Sequence, residues 1–334
     1  MLERIEAEFR DPLGRVLARS LFGQAEPALV REALTAFCAE ELGSAPAELR
    51  FFRMSVGAVF GLLLEDGRTV VVKLHLARER PDRLACVRRV QQQLADAGFP
   101  CPRPIGKPGT VLGLPATVEE YIGGGQERDA HEPEVRRVMA HTLAHLVRLT
   151  DRLDDLEGLG EGWVPHGADG LWGEPHNALF DFEATAAGAE WIDELAASAA
   201  TGSQAGRLVA GHTDWSVKHF RFRGLDVHVI YDWDSLRLES EPSIVAGAAV
   251  HFPYTEAFDV PRVASLDELR AFVAEYEEQR SAAFAPVERD AIWAHAVRAL
   301  AYTARCEHAR DATGRMPKGS YREALAQFGE ELLS

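Results

Sequence analysis

The chain is short of the features that mark secreted, membrane and nucleic-acid-binding proteins. Four cysteines in 334 residues, Cys38, Cys86, Cys101 and Cys306, are scattered without a Cys-x-x-Cys spacing. That excludes a disulfide framework and a thiolate zinc site and leaves reduced packing thiols. No apolar run approaches the roughly 18 residues that span a bilayer, and Met1-Leu2-Glu3-Arg4-Ile5-Glu6 lacks the basic-then-apolar order of a secretory leader. We therefore expect a cytoplasmic protein with no membrane partner. Basic residues are the minority sign, 36 Lys and Arg against 52 Asp and Glu, for a net charge of −16. Such a field repels phosphate backbones, so no nucleic acid partner is expected, whereas a cationic small molecule is welcome. Gly-x-x-x-x-Gly-Lys-Ser/Thr is absent, so a P-loop is excluded as a phosphate cradle. Internal repeats, heptads and low-complexity tracts are absent too.

What is present is an ordinary globular composition, 46% hydrophobic and 26% charged, long enough for two lobes. Residues 26 to 42 place Leu29, Val30, Leu34, Phe37 and Cys38 at helical spacing. Strand-like runs follow over 49 to 54, 56 to 64 and 69 to 76, the last two joined by Glu65-Asp66-Gly67-Arg68, whose Asp-Gly predicts a hairpin. Alternation in the third run puts Val70, Val72 and Leu74 on one face and Lys73 on the other. A helix is predicted from 82 to 97, stopped by Gly98 and Pro100, and a strand from 116 to 122 running into Gly123-Gly124-Gly125, which reads as either a connection or a turn. Downstream, helices are predicted over 132–150, 177–200, 266–284, 286–309 and 321–333, with a strand pair over 218–222 and 225–231 between the second and third.

Two aspartates stand out, eighteen positions apart, in Gly211-His212-Thr213-Asp214-Trp215-Ser216-Val217-Lys218-His219 and Val229-Ile230-Tyr231-Asp232-Trp233-Asp234. Phosphoryl transfer asks for a cation on the phosphates, carboxylates for a metal, and a carboxylate beside the acceptor hydroxyl. Lys73 inside Val71-Val72-Lys73-Leu74, Asp232 at a strand end and Asp214 are residues of these kinds. Each has a plainer reading alone: a surface lysine, an Asx turn, a capping acid.

Together these segments resemble the aminoglycoside phosphotransferase (kinase-like) family, which shows His-Gly-Asp, four residues and Asn, then Ile-Asp-Trp. The resemblance implies an α+β, bilobal protein-kinase-like fold, with a small mixed N-lobe over 1–122 that includes N-terminal helices and a larger helical C-lobe over 123–334. It implies an ATP- or GTP-dependent enzyme using Mg²⁺, or Mn²⁺, and a small-molecule hydroxyl acceptor. Asp214 takes the place of the hydroxyl-orienting base, Asp232 of the metal ligand and Lys73 of the phosphate clamp, with Asp234 as a further acid or a cap. Adenine is expected against the carbonyl of Glu119 and the amide of Tyr121, beside Val118. Ser55 and Gly57 lie where the family's nucleotide loop closes, although a turn needing a small residue explains Gly57 equally.

Three departures qualify this. His219 occupies the Asn slot, and imidazole suits Mn²⁺, Zn²⁺ or iron better than oxygen-seeking Mg²⁺. The helix over 82–97 has no glutamate to pair with Lys73, which leaves Glu79 or Gln91 to orient it. The family's Asp-Pro-x-x-Asp reads here Glu241-Pro242-Ser243-Ile244-Val245. A nucleotide-binding pseudokinase with a regulatory or scaffolding role is the alternative. Acceptor contacts are sought among Glu256, Asp259, Glu275, Glu277 and Glu278, and at Trp163, Trp172 and Trp191, for which helix-surface and core roles are the plain readings.

Overall fold

The computed structural model describes residues 1–160, 171–200 and 205–334. The chain divides into two compact units: Met1–Ala95 with Pro102–Gly123 and His176–Leu179, and Asp96–Cys101 with Gly124–Pro175 and Phe180–Ser334.

The first unit opens with helices α1 (Leu2–Arg10), α2 (Pro12–Phe22) and α3 (Pro27–Leu42), continues with strands β1 (Pro46–Met54), β2 (Ala58–Leu64) and β3 (Thr69–Leu74), helix α4 (Pro81–Asp96), and strands β4 (Pro104–Val111) and β5 (Leu114–Glu120). The strands form one antiparallel sheet in the order β1-β2-β3-β5-β4. The Asp-Gly hairpin is as expected: Gly67 takes φ +88° and the Asp66 carboxylate accepts from the Arg68 amide at 3.0 Å. Phe52 and Phe60 stack at 4.5 Å between ring centroids, and Phe60 is fully buried, worth about 2–3 kcal/mol for such a ring. β4 had no strand signature, because Pro104, Gly106, Pro108 and Gly109 break the pattern. It is an edge strand with a register shift between Ile105 and Gly109, where proline is tolerated. Alternation also misjudged the second face of β3, since Val71 and Lys73 are buried too.

In the second unit come α5 (Pro133–Thr150), α6 (Glu190–Ala200), β6 (Leu208–His212), β7 (Phe220–Arg223), β8 (Asp226–Ile230), β9 (Leu236–Ser240), α7 (Glu241–His251), α8 (Leu266–Glu277), α9 (Pro286–Arg310) and α10 (Tyr321–Leu332). β6 pairs with β9 and β7 with β8, both antiparallel. Two expectations fail here. Residues 177–189 are turns rather than helix: the Asn177 side chain accepts from the Leu179 amide, Asp181 from the Ala184 amide, and Gly188 has φ +83°. These local side-chain bonds compete with the helical ladder. And α8 stops at Glu277, whose carboxylate accepts from the Phe284 amide. Gly124 and Gly125 both have positive φ, and Gln126 forms a bridge with Phe222. All four cysteines are buried, and none is joined in a disulfide. No helix among the described residues is long and apolar enough to cross a membrane.

Candidate functional site

In the first unit, Lys73 and Glu119 project from adjacent strands, with Nζ 3.5 Å from Oε1 and each side chain 8% exposed. The register sets Lys73 opposite Thr117 and Val71 opposite Glu119. Both charges are therefore on one face of the sheet. Gln91 on α4 donates to Glu119 Oε2 at 3.0 Å and to the Pro102 carbonyl at 2.9 Å. Glu79, offered by the sequence as a partner for Lys73, pairs instead with Arg83 at 3.0 Å. The Glu119 side chain was missed altogether, because pairing across β3 and β5 is a matter of register that spacing along the chain does not reveal.

The adenine contacts expected from main-chain groups need correction. The Tyr121 amide donates to the Thr69 carbonyl at 3.2 Å, and Glu119 faces Val71 in the same ladder, so these groups close the sheet. Gly57 lies in the turn between β1 and β2, where the Ser55 amide donates to the Gly57 carbonyl at 2.9 Å. A Cβ on Gly57 would lie 2.3 Å from the Leu74 carbonyl oxygen. Close approach of two backbones accounts for this glycine.

In the second unit, β6 delivers His212 to the head of a turn that carries Asp214. His212 is buried; its Nε2 faces the Tyr231 carbonyl at 3.1 Å and its Nδ1 faces the Asp214 amide at 3.3 Å. A carbonyl needs a donor and an amide an acceptor, which selects the neutral Nε2–H tautomer. Burial, and then the nearby His219, lower its pKa in keeping with that state. Trp215 anchors the turn, fully buried with its indole N–H donating to the Met139 carbonyl at 3.2 Å. Thr213 is tied to the Ser235 carbonyl through its amide at 3.0 Å and its hydroxyl at 2.8 Å.

Asp214 is heavily engaged. Its Oδ1 accepts from the Ser216 hydroxyl at 3.0 Å, and its Oδ2 meets His219 Nε2 at 2.9 Å and Lys218 Nζ at 3.0 Å. Desolvation works to raise its pKa, but the charges and hydrogen bonds of Lys218 and His219 outweigh it and hold the carboxyl well below the usual value. Lys218 also lies over the Tyr254 ring, 5.0 Å from its centroid. Burial would lower the lysine, and Asp214 more than reverses that to raise it. Lys218 was legible in the motif but given no part.

Asp232 follows β8, where it adopts a left-handed φ of +69° and starts the one-turn helix Trp233–Ser235. Asp tolerates that region better than most side chains. Its Oδ2 accepts from the Ser235 hydroxyl at 2.9 Å and stands 3.8 Å from His219 Nε2. Asp214, His219 and Asp232 thus bring one ligand atom each to within 4.8 Å of one another. Asp234 is outside that group; it lies in the one-turn helix, where its carbonyl accepts from Arg237 at 2.7 Å.

The acids sought for a cationic acceptor are largely engaged. Glu275 accepts from Arg136 at 2.9 Å and Glu277 from Arg289 at 2.6 Å, while Glu256 accepts from the Tyr254 hydroxyl at 3.2 Å. Trp172 donates to Asp193 at 2.7 Å and packs on Phe182 and Tyr302. Trp163 lies outside the described residues.

The fold is that of kinase-like phosphotransferases. An amicoumacin kinase solved with AMP-PNP and Ca²⁺ matches with a TM-score of 0.59 at 9% identity, covering 100% of this chain and 96% of that one. A choline/ethanolamine kinase family protein from Mesorhizobium loti matches at 0.52 and 13% identity, covering 91% and 93%. A thermostable mutant of an aminoglycoside phosphotransferase matches at 0.50 and 15% identity, covering 89% and 96%. No curated protein matches the sequence. The family model of the phosphotransferase enzyme family, however, matches residues 57–239, more than half the chain and the whole stretch from the Gly57 turn through Asp232, so the chain belongs to that family.

Proposed function

We propose that the protein transfers the γ-phosphoryl group of ATP or GTP to a hydroxyl of a small molecule. The gathering of Asp214, His219 and Asp232 around one point, from the two motif positions where the family's catalytic and metal residues fall, carries this reading. In the reaction the bond from the γ-phosphorus to the β,γ-bridging oxygen breaks and the acceptor oxygen bonds to phosphorus. The nucleoside diphosphate leaves, and the acceptor proton departs.

Asp214 accepts a hydrogen bond from the acceptor hydroxyl and aims it. Its depressed pKa makes it a weak proton acceptor in the ground state, so its part is orientation first, with proton transfer late in a loose transition state. Lys218 sets a positive charge beside the same carboxylate, and Lys73 clamps the nucleotide phosphates.

Two carboxylates and an imidazole fit a divalent ion. Donors adjacent in an octahedron at about 2.1 Å from a metal are about 3 Å apart, and His219 Nε2 lies 2.9 Å and 3.8 Å from the two aspartate oxygens. A bound divalent ion supplies charge neutralisation for the phosphate oxygens. His219 tilts the preference from Mg²⁺ toward Mn²⁺. A nucleotide-binding regulator is the second reading, favoured by one feature: the chain's own Lys218 and His219 both occupy Asp214 Oδ2.

Transfer from γ-labelled ATP or GTP to a panel of hydroxyl compounds, with Mg²⁺ or Mn²⁺, tests the assignment. Asp214→Asn should lose at least 100-fold in transfer while keeping nucleotide-induced thermal stabilisation. His219→Asn should shift the metal preference toward Mg²⁺, read as metal affinity by Mn²⁺ paramagnetic resonance. Nucleotide stabilisation with no transfer to any acceptor favours the regulator; no stabilisation by either nucleotide sinks both readings.

A further inference from the structure

Lys73 needs a carboxylate to hold its ammonium in one place, and α4, which follows its strand, contains no glutamate. A carboxylate within reach is on the sheet itself. Glu119 Oε1 is 3.5 Å from Lys73 Nζ, both side chains are almost fully buried, and Glu119 is tied to α4 by the Gln91 amide at 3.0 Å.

We propose that Glu119 is the positioning residue for Lys73, its side chain doing from β5 what a helix-borne glutamate does in other kinases; this rests on the reading of Lys73 as the phosphate clamp. The change of element has a mechanical consequence. A carboxylate on a helix leaves its lysine whenever the helix swings, which is how some kinases are switched. β3 and β5 are held in register over five residue pairs, from Val70–Glu120 to Leu74–Ala116. The strands that carry the two charges cannot part without breaking that ladder, so the clamp is assembled before nucleotide arrives. Preorganisation of this kind removes the ordering cost from binding. Burial strengthens the attraction of the pair, and loss of either partner leaves a charge stranded in a dry site.

The test is a double-mutant cycle on the full chain, Glu119→Gln, Lys73→Met and both together, with a non-hydrolysable ATP analogue and Mn²⁺ titrated calorimetrically and melting followed by circular dichroism. If Glu119 acts through Lys73, Glu119→Gln weakens nucleotide binding at least tenfold, and the double variant binds no worse than Lys73→Met alone. The double variant carries no buried charge at either position and keeps the cycle readable. Should Glu119→Gln fail to fold, Gln91→Met loosens Glu119 with both charges intact. It is expected to weaken binding several-fold in the native background and not at all beside Lys73→Met. Binding within twofold of native for Glu119→Gln, or for Gln91→Met where that stands in, overturns the proposal and leaves the proposed function standing, as do losses that multiply in the double variant. Native protein that binds no nucleotide overturns both.

Discussion

Removing one charge at the start of α7 tests how the turn that carries Asp214 is held. Glu241 is 1% exposed. Its Oε1 accepts from the Tyr276 hydroxyl at 2.8 Å and Arg280 Nε at 2.9 Å, and its Oε2 from Arg207 Nε at 2.9 Å and Arg280 Nη2 at 3.1 Å. One carboxylate therefore joins the residue that leads into β6, the first turn of α7, and the end of α8 with the turn beyond it. Glu241→Gln keeps the shape and removes the negative charge that two guanidinium groups share. Breaking a buried ion pair costs about 3–5 kcal/mol. Arg207 is half exposed and keeps Asp151 at 2.6 Å, so the lower figure applies.

With about 2.1 cal/mol/K of unfolding entropy per residue over a unit of about 210 residues, about 3 kcal/mol lowers the melting temperature by roughly 7 °C. The pH dependence supplies a second reading. Burial works to raise the Glu241 pKa, but hydrogen bonds from Arg280 and Tyr276 and the charges of Arg280 and Arg207 hold it below the ordinary 4.5. A depressed carboxylate contributes stability that is complete above its unfolded value and is lost as pH falls through the folded one. The gap between native protein and variant, from urea unfolding followed by tryptophan fluorescence, should be full at pH 7 and shrink below about pH 4.5. A variant within about 1 kcal/mol of native at pH 7, or a gap indifferent to acid, refutes the reasoning.

Gly57→Ala forces a Cβ onto the Leu74 carbonyl oxygen, so the β1–β2 turn must shift; a loss of about 1–3 kcal/mol is expected together with weaker nucleotide binding, and an unchanged melting temperature contradicts the close approach. His131 Nδ1 lies 2.7 Å from Glu268, which raises the imidazole pKa above 6.5, while the Glu268 carboxyl, against its burial, is held down at about 2 by His131 and Ser265. The histidine's share of stability is present below pH 6.5 and fades as pH rises through its folded value, and the glutamate's is present above pH 4.5 and fades toward pH 2. In Glu268→Gln the His131 ring resonance should titrate lower than in native protein by NMR, and an unmoved midpoint rules the pair out as the cause.

What the sequence discloses follows from what each contact depends on. The β2–β3 hairpin and the amphipathic helices depend on local spacing and are readable. β4 is not, because its prolines and glycines are admissible only at an edge, which is a fact about neighbours. α7 was passed over for a related reason: Ile244, Val245, Ala246, Ala248, Ala249 and Val250 are all buried, so it is apolar around most of its circumference and has no stripe to detect. Asp214, His219 and Asp232 could be picked out because the motif fixes their separations. Glu119 could not, since its meeting with Lys73 arises from the pairing of strands some forty residues apart. Tyr121 and Asp234 were assigned from position alone; the Tyr121 amide is paired with Thr69, and Asp234 lies in a one-turn helix.

Two of the departures from the family pattern sit beside paired charges. In the first unit the buried ammonium of Lys73 is met by the carboxylate of Glu119. In the second, the two carboxylates of Asp214 and Asp232 are met by the ammonium of Lys218, leaving one negative charge before His219 is counted. An asparagine in that slot would offer an amide, whereas the imidazole places one ring nitrogen 2.9 Å from one carboxylate and 3.8 Å from the other. The same nitrogen is a metal donor only when it carries no proton. On the proposed reading, Asp214, His219 and Asp232 would hold the cation, and His219, hydrogen-bonded to Asp214 here, would have to present an unprotonated nitrogen to it.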